Sequence, residues 1–262
     1  MLGQLYRPQG LARETAQAVL ETKEVYAVNV ADGCPNNCLY CFNQKGFWRH
    51  GRDPGTVRLP KESPARLVAR QIDKMLPATI PASLYKPEDI GVFLSFLTDP
   101  YLSVVAAETR ALIHTLLSWN IRVATLSKIN VSKIRGVRDG MTIVSLDDEF
   151  WQKFEPNTVN PETRLMNLDT RKREFHDFIW VSMEPYPPSA IYKQNFEQIL
   201  QWFKAADVDL IVFGKWNYDA RARTEQARAE YAEHVQTLTE FGLKHGIRTY
   251  VKSDTLKFIG KK

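Results

Sequence analysis

The chain holds 262 residues, which suits one domain of the α/β barrel type or two small ones. Hydrophobic residues make up 44% and charged residues 25%, values of a globular chain, and no low-complexity stretch or repeat interrupts them. The net charge of +5 permits a polyanionic partner without requiring one. Arg7, Arg13 and Glu14 break any apolar run before Leu20, which excludes a secretory signal or membrane span there; a cytoplasmic setting is expected.

Residues 25–30 are apolar, β-branched and bounded by Asp32-Gly33, which predicts a buried first strand. Leu67, Val68, Ile72 and Met75 predict a helix over 61–76, started by Ser63-Pro64. A strand at 90–96, a helix over 102–119 and strands at 121–126 and 141–146 follow. A helix over 160–177, with Pro161 in its first turn, precedes a strand at 178–183. A helix at 196–205, a strand at 209–213, an amphipathic helix over 224–245 and a short strand at 247–251 complete the alternation. Alternating strands and helices imply a parallel sheet with helical crossovers. Six or seven units are too few for a closed eightfold barrel, which leaves an incomplete TIM-like α/β barrel or a doubly wound open sheet. The whole chain reads as one domain, with a core over about 22–220 and a C-terminal helix and strand within 222–262.

The only three cysteines, Cys34, Cys38 and Cys41, form a C-x3-C-x2-C cluster directly after the first strand. An odd number cannot all pair. In a reducing compartment, clustered cysteines more often bind metal or do chemistry than form bridges. Structural zinc takes four protein ligands, and His50 is the nearest imidazole for a Cys3His site. Three thiolates better suit a four-iron cluster with one iron open to a non-protein ligand. An open metal position is what a catalytic site keeps. The loop also lies at the C-terminal end of a strand, where α/β barrels place their chemistry.

Polar groups recur at the next strand ends. The second ends in Ser95-Phe96-Leu97-Thr98-Asp99-Pro100-Tyr101, the third in Thr125-Leu126-Ser127-Lys128 and the fourth in Ser145-Leu146-Asp147. They could converge on one mouth. Thr98 and Asp99 could also cap the following helix.

The cysteine cluster, with Tyr40 just before its last thiol, resembles the signature of the radical S-adenosylmethionine (radical SAM) superfamily. Thr98-Asp99-Pro100-Tyr101, the helix bearing Glu108, Thr109 and Arg110, and the strand ending in Ser127-Lys128 resemble its spore photoproduct lyase-like branch. This likeness runs from about Val28 to Ser145. The resemblance implies a (β/α)6 core and a [4Fe-4S] cluster on the three cysteines. It also implies S-adenosyl-L-methionine on the fourth iron, cleaved reductively to a 5′-deoxyadenosyl radical that abstracts hydrogen. It implies that Thr98 and Asp99 contact the amino acid end of S-adenosylmethionine and that Lys128 pairs with its carboxylate. Ser145 would meet its ribose or methionyl part. An electron donor such as flavodoxin or ferredoxin would be a partner. One departure stands out: Phe96 falls near the place of the hydrogen-donating cysteine of spore photoproduct lyase, and no fourth cysteine exists. Tyr101 and Tyr186 are the candidate donors by position.

Later segments also follow strands. Glu184 could accept a hydrogen bond from ribose hydroxyls or an amine, and Lys215 and Asn217 could hold substrate. Phe154-Glu155-Pro156 with Asn160-Pro161 and Arg164 has the look of a functional stretch without an assigned role. Lys45, Arg49, His50, Arg52, Arg58 and Lys61, interleaved with Phe47 and Trp48, could bind nucleic acid by charge and stacking. Two functions follow: a radical SAM enzyme acting on an unidentified substrate, with nucleic acid the first guess, or a zinc-stabilised, non-catalytic nucleic-acid-binding protein.

Overall fold

The computed structural model describes residues 2–45, 53–75 and 89–261. Seven strands form one parallel sheet: β1 (Glu24–Val28), β2 (Ile90–Leu94), β3 (Arg122–Ser127), β4 (Val137–Thr142), β5 (Ile179–Tyr186), β6 (Leu210–Lys215) and β7 (Arg248–Val251). Their order in the sheet is their order in the chain. A doubly wound sheet reverses its strand order at a switch point. This order never reverses, so the crossovers all run one way and the sheet curls into an incomplete barrel.

The larger crossover helices are α3 (Pro64–Met75), α4 (Ala106–Ser118), α6 (Pro161–Phe175), α7 (Phe196–Ala205) and α8 (Glu225–His245). Their ends follow local chemistry. The Asn160 side chain caps α6 ahead of Pro161, Asn195 caps α7, and Thr224 caps α8. Gly246, at φ 71°, ends α8 in the left-handed region. Alternate strand residues bury outward against these helices, such as Val92 and Leu94, or inward, such as Phe93.

The barrel interior is filled from below by α1 (Gly10–Leu20), whose Ala16, Val19 and Leu20 meet Phe93, Ala124 and Trp180. Arg122 donates to Leu20 O at 2.6 Å, Arg138 to Val19 O at 2.5 Å and Arg248 to Ala18 O at 3.2 Å. Three strands thus supply cations to the unpaired carbonyls and negative end of one helix. The same segment spans the gap between β1 and β7. Tyr6 bridges Ala27 on one side, and Glu14 accepts from Tyr250 and Ser253 on the other.

Among the described residues, four α-helices go beyond the elements read from sequence, α1, α2 (Phe42–Lys45), α5 (Asp148–Phe154) and α9 (Ser253–Phe258), as does a 3-10 turn at Ala220–Arg223. The fourth strand is also displaced. It runs over Val137–Thr142 rather than 141–146. Its polar letters are accommodated individually. Asp139 is fully buried against Arg171 on the outer side, and Gly140 leaves room for the Trp180 ring on the inner side.

Candidate active site

The C-terminal ends of the strands surround a cavity of about 440 Å³. That size is in the range of small-ligand sites. Cys34, Cys38 and Cys41 all line it, carried by the loop that leaves β1. Cys34 is held through its N–H to Pro54 O at 2.8 Å, and Cys41 N–H returns to Cys38 O at 3.0 Å. Burial pushes the Cys38 thiol up to about 12, although the Lys128 ammonium pulls the other way. Burial raises the Cys34 thiol as well. Binding a metal here would therefore release protons. Among the described residues, no three Cys, His, Asp or Glu side chains are drawn together as a ready metal site.

Asp99 organises the adjoining wall. One carboxylate oxygen accepts from Tyr101 N–H at 3.0 Å and Ser127 Oγ at 2.7 Å. The other accepts from Lys128 N–H at 2.7 Å and Asn36 Nδ2 at 3.4 Å. Burial raises its pKa, and these donors oppose the rise. Neither Thr98 nor Asp99 caps α4, whose N-cap residue is Val105. Thr98 Oγ1 is buried in the wall of the cavity and has no hydrogen-bond partner among the described residues. A buried hydroxyl in that state favours a ligand that bonds to it. The Lys128 ammonium lies 5.4 Å from the centre of the Tyr40 ring and also borders the cavity. Among the described residues it has no ion-pair partner, which leaves a point charge for an anionic group.

The far wall comes from β5, β6 and β7. Glu184 reaches across Gly214, where a Cβ would stand 2.7 Å from its Cγ, and pairs with Lys252 at 2.8 Å. Lys252 also donates to Leu11 O at 3.2 Å. Thr142, Lys252 and Tyr6 also line the cavity and lie outside the stretches that read as functional, whereas Ser182 and Asn36 lie inside them. For Thr142 the missing signal was the true end of β4, and for Lys252 it was the position of β7 beside the barrel opening.

The structure brings Tyr40, Thr98, Asp99, Lys128, Glu184 and Asn217 to this cavity with the cysteines. It places the others elsewhere. Ser145 follows β4 by three residues and borders an outer groove between α6 and α7, where its Oγ accepts from Asp147 N–H at 3.1 Å. Tyr101 is buried outside the barrel with its hydroxyl directed to Asp139. Tyr186 is sealed among Phe196, Phe213 and His234. Lys215 turns to Asn217 and Asp254 rather than to the cavity. Of the basic loop, Phe47, Trp48, Arg49, His50 and Arg52 lie outside the described residues, and Arg58 pairs with Asp32.

No family model matches the chain, and no curated protein matches it. Solved structures do. SuiB of Streptococcus suis bound to S-adenosylmethionine is 11% identical with a TM-score of 0.54, over 88% of this chain and 47% of SuiB. A cysteine-to-alanine mutant of spore photoproduct lyase, with a dinucleoside spore photoproduct, is 13% identical with a TM-score of 0.54, over 87% and 75%. A radical SAM methyltransferase from Sphaerobacter thermophilus is 11% identical with a TM-score of 0.55, over 87% and 65%. The chain has the fold of these proteins. It spans about half the length of SuiB.

Proposed function

We propose that this chain is a radical SAM enzyme. The observation that carries the reading is the placement of Cys34, Cys38 and Cys41 on one cavity at the C-terminal mouth of a parallel half-barrel. The residues fit the implied groups: three thiols leave one iron of a [4Fe-4S] cluster open, and Thr98 Oγ1 and Lys128 offer a hydroxyl and a cation nearby that have no hydrogen-bond or ion-pair partner among the described residues. When bound, the cluster and S-adenosylmethionine together supply an electron and a primary radical able to abstract hydrogen.

The chain's own residues bind and orient. Lys128 holds the carboxylate of S-adenosylmethionine, and Thr98 Oγ1 accepts from its amino group. Asp99 acts one step back: with its carboxylate filled by internal donors, it holds Lys128 and Asn36 in place. Glu184 accepts from ribose hydroxyls while Lys252 fixes its direction. Phe96 and Leu126, apolar residues of the cavity wall that pack on the cluster holding Phe93, keep water from the reacting centre. Nucleic acid is the substrate we propose first; the net charge of +5 and the likeness to spore photoproduct lyase with its dinucleoside support it. A flavodoxin or ferredoxin is the proposed electron donor.

The test is anaerobic reconstitution followed by metal, sulfide and label analysis. About four irons with matching sulfide per chain are expected, and deuterium from labelled nucleic acid should enter 5′-deoxyadenosine. One zinc without sulfide would instead favour a structural metal site. Cluster uptake without label transfer would remove nucleic acid as the abstraction target.

A further inference from the structure

The linker between α5 and α6, with Phe154 before it and Arg164 after it, is tied both to the cysteine loop and to the strand ends. Toward the cysteine loop it makes three contacts. Asn157 Nδ2 donates to Pro35 O at 3.0 Å, Leu39 N–H donates to Phe154 O at 3.0 Å, and the Tyr40 hydroxyl donates to the Glu155 carboxylate. Toward the strand ends, Val159 N–H donates to Lys128 O at 3.1 Å, and Arg164 donates to Thr142 O at 2.6 Å. Arg164 also pairs with Glu155 and donates to Val159 O at 2.6 Å and Thr158 Oγ1 at 2.7 Å.

Arg164 is 0% and Glu155 is 1% exposed. Burying two charges this completely is costly unless they are paired and hydrogen-bonded. Packing alone would be served by apolar residues. The pair instead presents one carboxylate oxygen to Tyr40, the residue directly before Cys41. Lys128, whose carbonyl holds the linker, places its ammonium against the ring of the same tyrosine.

We propose that residues 155–160 form a clasp coupling the cysteine loop to Lys128, with Glu155 a positioning residue that acts through the Tyr40 hydroxyl. This rests on the radical SAM reading and adds a dependence: cluster retention and S-adenosylmethionine affinity rise and fall together. Glu155→Gln leaves the Arg164 charge buried without its partner, so Tyr40→Phe is the decisive variant; it removes one hydroxyl and keeps the ion pair. Asn157→Ala removes a second tie at the surface. Ile72→Val, in the outer core far from the linker, serves as a stability control.

Each holoprotein is assembled anaerobically. Three quantities are measured: the rate at which a chelator strips iron, the S-adenosylmethionine concentration that half-shifts the reduced cluster's paramagnetic resonance spectrum, and the apoprotein Tm. For Tyr40→Phe, both the stripping rate and the half-shift concentration should rise about tenfold, the scale of lost outer-sphere support. Asn157→Ala should move both in the same direction by less. Ile72→Val should lower Tm and leave both at wild-type values. Wild-type values in Tyr40→Phe overturn the clasp, as does an equal change in Ile72→Val. A wild-type chain that takes up no iron and sulfide overturns the radical SAM reading and the clasp with it.

Discussion

The Asp99 carboxylate accepts the backbone N–H of Lys128 at 2.7 Å, tying the end of β2 to the end of β3. The same group reaches Asn36 in the cysteine loop. One buried carboxylate therefore sets the relative positions of three segments of the cavity wall. Asp99→Asn keeps the shape but loses the charge and one acceptor. It should lower stability by about 2–3 kcal/mol, the scale of hydrogen bonds to a charged group. Denaturant unfolding of the apoprotein measures this, and an unchanged midpoint would mean the wall is held by other contacts.

Lys128 has the opposite profile. Its ammonium borders the cavity and pairs with no carboxylate among the described residues. Lys128→Met should leave apoprotein stability within about 1 kcal/mol, as for a site outside the core. It should weaken S-adenosylmethionine binding by about 10- to 100-fold, the loss of one charged hydrogen bond. Calorimetric titration of the reconstituted protein distinguishes this from a purely structural lysine.

Trp180 is 0% exposed in the barrel interior, packed in one cluster with Phe93 and the buried face of α1. Trp180→Ala should cost about 3–5 kcal/mol. Gly140→Ala would drive a Cβ into the same indole ring and should destabilise by about 1–3 kcal/mol through overpacking. Both follow from denaturation midpoints, and a neutral Gly140→Ala would contradict the close approach of β4 to the ring.

Glu14 makes the closure across the barrel opening sensitive to acid. Burial pushes its carboxyl up, but donors on Ser253 and Tyr250 and the charge of Lys252 outweigh this and leave the pKa lowered. The unfolded chain then binds the proton more readily than the folded one. This contribution is complete above the ordinary carboxylate value near 4.5 and is lost as pH falls through the lower folded value. Glu14→Gln should flatten the acid limb of the stability–pH curve in that window. An acid limb identical to wild type would show that Glu14 does not supply it.

Much of this was legible because it is local. The cysteine spacing needs no tertiary information, and Thr98, Asp99 and Lys128 follow apolar runs whose ends mark the mouth of a parallel sheet. What was hidden depends on partners distant in sequence. β4 reads as polar because Asp139 finds Arg171 and Gly140 makes room for Trp180. That displacement moved the expected contribution of the fourth strand from Thr142 to Ser145. α1 buries only a few residues of its own and is held by arginines from three strands. Lys252 enters the site only because the barrel is incomplete and its last strand stands beside the opening. Glu155 and Arg164 were visible as charged residues, yet nothing in the linear sequence joins them to Tyr40.

The central claim is that the three thiols and the cavity beside them act on S-adenosylmethionine. The direct measurement is 5′-deoxyadenosine formed by the anaerobically reconstituted, dithionite-reduced chain. The wild type should form this product, and Cys34→Ala, Cys38→Ala and Cys41→Ala should each abolish it. Intact S-adenosylmethionine in the presence of a loaded, reduced cluster would contradict it.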